Sequence, residues 1–299
     1  MAGLGTLVRP DTPLILVAVS LVAAMCFWRT GGGGARSAMS GFLRVMVLMW
    51  AGLFLPLLPW AIRNLSTLHQ VEFLAPRYTQ LPGELVPQGV NAWTNTWLWR
   101  FRDVYLFSWK LDDEEINLDD LPPYAFDSDH EREVVSKVLE EYNDSLTLSP
   151  AEDQVFAELA QERTRSDPLR TYVTVPFKRI FTLWFTPRIE LLPYSGDVSP
   201  VKQAWQDDRA DLLVTCGLTV LGILYVALAL GGFFKSRGSP VAMLLAVFCL
   251  IRTLFFLHYE TPEPRYMLEC YPAIIALAAQ VFVPWSATRS VLQPARDGL

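Results

Sequence analysis

Five apolar runs divide the chain and restrict its possible folds more than any other feature. They cover residues 13–28, 42–61, 210–234, 241–258 and 266–286. A helix needs about 20 apolar residues to cross a bilayer, so the first and fourth runs are short for a span and the others are long enough. Only 19% of the 299 residues are charged, against about a quarter in ordinary globular domains. The composition therefore predicts a polytopic membrane protein and argues against a disordered or nucleic-acid-binding chain.

Charge is unevenly distributed between the apolar runs and the block that separates them. Residues 62–209 carry 15 Lys and Arg against 25 Asp and Glu, a net charge of −10, whereas the rest of the chain carries 10 against 6, a net charge of +4. The short connections 29–36 and 235–237 hold only positive charge, which the positive-inside rule places in the cytoplasm together with the C-terminal tail. The acidic block, residues 62–209, then faces the periplasm or its equivalent.

The expected fold is mainly α-helical and has three parts. Residues 1–61 hold two transmembrane helices, residues 62–209 form a large, mostly helical periplasmic insertion, and residues 210–299 hold three transmembrane helices and a cytoplasmic tail. This topology places the first residues outside, before a single short span. A cleaved signal peptide would explain them, but no small-x-small cleavage site follows the apolar run, and Met25 precedes Cys26 where a lipoprotein signal needs a small residue. We therefore expect that earlier helices are missing from this chain.

The insertion contains three predicted helices with recognisable termini. The first begins near Ser128 and carries an apolar stripe from Val134 to Tyr142. The second opens with a capping box, Ser149-Pro150-Ala151-Glu152. The third begins at Asp167-Pro168, is kinked by Pro176 and continues to Trp184 as an amphipathic helix along the membrane surface.

An aromatic-rich stretch lies within residues 62–128, which otherwise appear irregular with possible short strands. Two interpretations are open for these side chains. Trp and Tyr beside a membrane usually form an interface belt, and the alternative is a platform on which sugars stack. The side chains are Trp93, Trp97, Trp99, Phe101, Tyr105, Phe107 and Trp109.

Metal and cofactor signals are weak. The acidic run Leu111–Glu115 suggests either a metal site or an ordinary solvated loop, and the second interpretation is favoured. No cluster of His, Cys and carboxylates has convincing ligand spacing, so no cofactor or metal is predicted, although a divalent cation is left open. The four cysteines lie in the apolar regions and indicate no disulfide framework.

Polar residues cluster at the predicted outer ends of the spans. An arginine inside a span is costly and usually pairs or lines a polar cavity, which makes Arg252 a functional candidate. Its planar guanidinium matches phosphate oxygens. Interfacial anchoring is the alternative for Arg63 and Arg265. The remaining members of these clusters are Arg9, Asp11, Trp60, Asn64, His258, Glu260 and Tyr266.

The order of these motifs resembles a known family. Residues 7–11 (Leu-Val-Arg-Pro-Asp), 58–64 (Leu-Pro-Trp-Ala-Ile-Arg-Asn) and 263–266 (Glu-Pro-Arg-Tyr), with Pro272 further on, look like the later part of bacterial C-type (GT-C) glycosyltransferases. Within these, the chain is most similar to the family 39 group of protein mannosyltransferases and the lipid A aminoarabinose transferase. The external stretch from Asp167 to Glu190 resembles the same group.

The resemblance implies a membrane enzyme that transfers a sugar from a polyprenyl-phosphate donor to a glycan, lipid or protein acceptor on the periplasmic face. It implies inversion by single displacement, with an aspartate of the first external loop as general base. Arginines would hold the donor phosphate, here Arg265 and Arg252 with Arg63 and Arg9. The pocket would be shaped by Tyr266, His258, Glu260, Trp60 and Asn64.

The chain departs from the family in one respect. The spans that carry the catalytic loop in the family have no counterpart before residues 7–11, so no catalytic residue is assigned and Asp11 is not taken as the base. A non-catalytic membrane subunit or partner-binding protein derived from such an enzyme is therefore the alternative. A transporter is disfavoured, because no inverted repeat is visible among the apolar runs.

Overall fold

The computed structural model describes residues 2–29, 36–69, 71–74, 85–187, 201–259 and 261–284. These residues form helices and turns without a β-strand, which confirms the mainly α-helical prediction and contradicts the short strands expected within 62–128. The chain divides into two compact units. The first contains residues 1–81, 227–252 and 272–299, and the second contains residues 82–226 and 253–271. Residues 30–35, within the connection predicted to be cytoplasmic, residue 260 and the residues after 284 lie outside the described residues.

The described part of the first unit begins with four helices. They are α1 (Ala2–Val8), α2 (Pro13–Arg29), α3 (Arg36–Phe54) and α4 (Leu58–Leu68). A 3-10 turn, Leu55–Leu57, links α3 to α4, and Pro56 and Pro59 stand at this change because neither has the N–H that a regular helix needs. Residues Arg36–Leu68 together form a 33-residue helix that is long and apolar enough to cross a membrane.

Six short and medium helices precede residue 209 in the described part of the second unit. They are α5 (Gln88–Asn95), α6 (Phe101–Asp103), α7 (Asp129–Ser145), α8 (Pro150–Ser166), α9 (Val175–Phe185) and α10 (Val201–Asp207). The predicted termini are confirmed: the Ser128 side chain caps α7, and Ser149 and Glu152 form the reciprocal capping box of α8. Both caps satisfy backbone N–H groups that have no partner inside the helix.

Residues 168–185 form the third predicted helix, with one local change of geometry. The backbone is π-helical over Arg170–Thr174 and becomes α-helical at Val175. Pro176 stands in the first turn of α9, where a proline lacks the N–H that would otherwise bond back to the preceding turn. The winding therefore changes from π to α just before the proline at which the sequence predicts a kink.

The aromatic stretch is the core of the second unit. Trp93, Trp97, Phe101 and Phe107 are buried and pack with side chains of α7 and α8, including Tyr142. Neither an interface belt nor a sugar-stacking platform is possible for buried rings, so both interpretations are wrong for these residues. The rings group in this way because α5, α6 and the following turn fold back over α7 and α8, and aromatic side chains bury more area than any others.

The last apolar helices are α11 (Arg209–Ser236), α12 (Pro240–Phe256) and α13 (Tyr271–Ala279). α11 is long and apolar enough to cross a membrane, and α2 and α12 are shorter apolar helices of 17 residues. The run predicted over 266–286 instead forms a 3-10 helix, Pro264–Cys270, followed by the nine residues of α13. Pro272 explains the change, because its ring prevents a regular α-helical bond to the preceding turn.

Candidate functional site

Asp11 is the centre of a charged cluster in the first unit. It lies in the turn between α1 and α2, and its Oδ2 accepts hydrogen bonds from Nη2 of Arg252 at 2.6 Å and from Nη2 of Arg9 at 3.2 Å. Arg252 belongs to the last turns of α12, 241 residues away in the chain. The structure therefore brings together two of the four predicted donor-side arginines.

The three members of this cluster differ in their exposure. The Arg252 side chain is fully buried, the Asp11 side chain is 11% exposed and the Arg9 side chain is 51% exposed. Removing a carboxylate from a buried guanidinium leaves an uncompensated charge, which is strongly destabilising. Two guanidinium groups and one carboxylate carry a net charge of +1, and Arg9 is the most exposed member of the cluster.

Arg63 and its neighbours on α4 have different surroundings. The Arg63 guanidinium lies 4.8 Å from the centroid of the exposed Trp60 ring, a cation–π contact. Asn64 is buried, and its Nδ2 donates to the backbone carbonyls of Glu72 at 3.1 Å and Leu74 at 2.9 Å. Asn64 thus fixes the chain that follows α4, a role that the sequence did not indicate.

Arg265 and Tyr266 belong to the second unit and share one carboxylate. The buried Glu263 accepts from Nη2 of Arg265 at 2.9 Å and from the Tyr266 hydroxyl at 3.0 Å, both through Oε1. The Tyr266 ring stacks on Phe256, with centroids 4.5 Å apart. Arg265 is therefore held by a carboxylate two residues before it, while its side chain remains 45% exposed.

His258 and Glu260 complete the predicted pocket residues. His258 is exposed in the turn after α12, and its Nδ1 lies 3.4 Å from the carbonyl oxygen of Leu254. Glu260 lies outside the described residues.

Arg179 is the charged residue whose importance sequence reasoning missed. It is 1% exposed and donates to four amide oxygens: the backbone carbonyls of Leu98, Leu257 and Tyr259 and the side chain of Asn95. The sequence did contain a signal that Arg179 is buried. At helical spacing, residue 179 lies on the same face of α9 as Val175 and Thr182, which are also buried.

The described residues contain no group of three or more His, Cys, Asp or Glu side chains that could hold a metal ion. Within the acidic run, Asp112 has a structural partner, since its Oδ1 accepts from the backbone N–H of Leu148 at 2.9 Å.

Comparison of the chain with protein-family models, with curated proteins and with solved structures finds no match. Among the residues that the structure describes, the chain is mainly helical, and two helices are long and apolar enough to cross a membrane.

Proposed function

We propose that this protein is a multi-pass protein of the bacterial inner membrane that transfers a sugar from a polyprenyl-phosphate donor to an acceptor on the periplasmic face. In this proposal all five apolar runs cross the bilayer and residues 62–209 are periplasmic.

The cluster of Asp11, Arg9 and Arg252 is the observation that carries the proposal. A sugar linked to a polyprenyl phosphate is a phosphodiester with one negative charge, which matches the net charge of +1 of the cluster. Arg9 is half exposed and would contact the phosphate. Arg252 is buried against Asp11, so we assign it a positioning role, in which it holds the turn that presents Arg9.

The other predicted residues have secondary roles in this proposal. Arg265 and Arg63 present exposed guanidinium groups, but one is held by Glu263 and the other lies over Trp60. In the proposal each adds positive charge that attracts the anionic donor at long range. No residue is assigned as general base, and the proposal requires no metal.

Binding of the donor lipid tests the proposal directly. The full chain is purified in detergent and its melting temperature is measured with increasing polyprenyl phosphate, which stabilises the protein if it binds the folded state. We expect stabilisation of the native chain and its loss in Arg9→Gln. The matched control is Arg44→Gln on α3, an exposed arginine predicted to face the cytoplasm. Equal stabilisation in native and Arg9→Gln proteins would contradict the proposal.

A transfer assay separates an enzyme from a non-catalytic subunit. The chain is incubated in vesicles with a labelled polyprenyl-phosphate sugar and a membrane extract as acceptor. Label that moves to the extract, and does so less with Arg9→Gln, supports transfer. Binding without any transfer would favour the non-catalytic alternative.

A further inference from the structure

One face of the segment 169–181 exposes large apolar side chains at regular helical spacing. Leu169, Val173, Phe177 and Phe181 follow one another every fourth residue, and each is more than half exposed. Tyr172 extends the same face and is 64% exposed. We call this set, which begins at Leu169, passes through the π-helical turn Arg170–Thr174 and continues along α9 to Phe181, the outer face of α9. A contiguous apolar surface of this kind marks a binding or membrane-contact site in a folded protein.

The opposite face of α9 fixes the orientation of the helix. Val175, Arg179, Thr182 and Leu183 are buried, and the Thr182 hydroxyl donates to the Trp99 carbonyl at 2.6 Å. The four hydrogen bonds of Arg179 hold the same face to the rest of the second unit. Because these bonds are buried, rotation of α9 to cover its outer face would leave a charged group unsatisfied.

The C-terminal end of α9 lies beside the apolar helices. The Trp184 indole Nε1 donates to the Thr253 hydroxyl at 3.1 Å, and a Cβ atom added at Gly222 would lie 3.7 Å from the Trp184 carbonyl oxygen. Gly222 is near the middle of the 28-residue α11, about 20 Å of helical rise from its first residue. Trp184 therefore packs at the level of the interior of a helix that is long and apolar enough to cross a membrane.

The contacts with α12 give the direction of α9. Arg179 binds the carbonyls of Leu257 and Tyr259, which follow the end of α12, whereas Trp184 contacts Thr253 within α12. As α9 advances from residue 179 to residue 184, its partners therefore move back into α12. α9 runs alongside the last turns of α12 and does not lie across its end.

We infer that α9 is inserted part-way into the lipid bilayer and that its outer face contacts lipid. Phe177 and Phe181 meet acyl chains, and Leu169 and Tyr172 lie nearer the headgroups. The 11 residues of α9 rise by about 16 Å, which is half of a hydrocarbon core of about 30 Å. Lipid is the occupant because the outer face belongs to a helix whose C-terminal end approaches the middle of α11, at Gly222.

Lys178 is compatible with this position. It is the charged residue on the exposed side of α9, and its Nζ lies 5.7 Å from the centroid of the Trp99 ring. A lysine near the end of a membrane helix can extend its charged group towards the interface while its methylene groups remain among apolar atoms. The inference is independent of sugar transfer and requires only that the apolar helices lie in a bilayer.

Photocrosslinking in a bilayer tests the inference. The full chain is produced with p-benzoylphenylalanine in place of Phe177, or separately of Phe181, reconstituted into phosphatidylcholine vesicles and irradiated. Adducts are identified by mass spectrometry. The control carries the same group in place of Trp109, an aromatic residue of the second unit that is 41% exposed. All three side chains are at least 41% exposed, which leaves room for the larger photoreactive ring.

We expect lipid adducts at positions 177 and 181 in several-fold excess over position 109. Lipid adducts at 177 and 181 that do not exceed the control would overturn the inference. Crosslinks from these positions to a second copy of the chain, without lipid adducts, would also overturn it, because a protein would then cover the outer face. Melting curves that match the native protein establish that each variant is folded.

Discussion

Asp11 and Arg252 form a buried ion pair with 2.6 Å between Oδ2 and Nη2. The pair joins the turn between α1 and α2 to the last turns of α12. Asp11→Asn leaves Arg252 buried without its counter-charge, so we expect the free energy of unfolding to fall by about 3–5 kcal/mol. Denaturant titration of the full chain in detergent measures the change.

A matched variant separates the buried contact from the exposed one. Arg9→Gln removes the half-exposed partner of the same carboxylate oxygen, and exposed ion pairs contribute about 0–1 kcal/mol. A loss in Arg9→Gln as large as that in Asp11→Asn would contradict the assignment of Arg252 as the residue that holds the turn. It would also undermine Arg9→Gln as a selective probe of donor binding.

Arg179 provides a second prediction, within the second unit. Replacing it with methionine leaves four amide oxygens without their donor. We expect the free energy of unfolding to fall by about 3–5 kcal/mol. Arg179→Lys restores little, because an ammonium group cannot reproduce the geometry of a guanidinium that bridges separate carbonyls. The control is Lys178→Met, because Lys178 directly precedes Arg179 and is exposed. Thermal melting ranks the three variants, and an Arg179→Met protein as stable as the control would refute the prediction.

The sequence predicted the local features of the fold but not the contacts between residues that are far apart in the chain. The caps at Ser128 and Ser149 were predictable because each depends on residues within one turn of the helix. The apolar runs predicted the positions of four helices for the same local reason. Asp11 and Arg252 were both singled out by type and position, but their pairing depends on a contact across 241 residues of sequence.

The two interpretations of the aromatic stretch were wrong for a related reason. Trp93 and Trp97 have the composition of an interface belt, and composition alone does not distinguish an exposed ring from a buried one. Their burial depends on Phe107 and on Phe156 of α8, which pack against them in the folded unit. Similarly, the partners of Arg179 come from segments about 80 residues away in both directions. Only the folded structure shows such neighbours.

Gly89 is expected to be intolerant of any side chain. A Cβ atom added there would lie 1.8 Å from the Asp153 carbonyl oxygen, which is far inside contact distance. The Asp153 carboxylate also accepts from the backbone N–H groups of Gly89 and Val90, so a displacement of α5 from α8 would break these bonds too.

We therefore predict that Gly89→Ala markedly lowers the melting temperature. The free energy of unfolding should fall by about 1–3 kcal/mol from overpacking, and further because hydrogen bonds are lost. Gly41→Ala on α3 is the control, because a Cβ atom there meets nothing within 4 Å. In a helix interior this control gains about 0.5–1 kcal/mol. Equal melting temperatures for the two variants would contradict the close approach of α5 and α8.

Tyr142 makes the second unit sensitive to alkaline pH. Burial raises the pKa of its hydroxyl above the ordinary value of 10.0. The hydroxyl accepts from the Asp112 N–H and lies within hydrogen-bond distance of the Lys110 and Glu114 carbonyls. The folded state keeps the proton at a pH where the unfolded chain releases it. The stability that this group contributes is therefore complete below the unfolded pKa and declines as the pH rises above it towards the folded pKa.

The comparison of native protein with Tyr142→Phe isolates this effect from other groups that titrate in the same range. At neutral pH the variant is less stable, because the Asp112 N–H and the carbonyls lose a partner, at a cost of about 1–3 kcal/mol. Between about pH 9 and pH 11, around the unfolded pKa of tyrosine, the native protein loses stability faster than the variant, so the difference between them shrinks. Denaturant midpoints measured at half-unit pH steps give this difference in stability. A difference that stays constant or widens would show that folding does not raise the pKa of Tyr142.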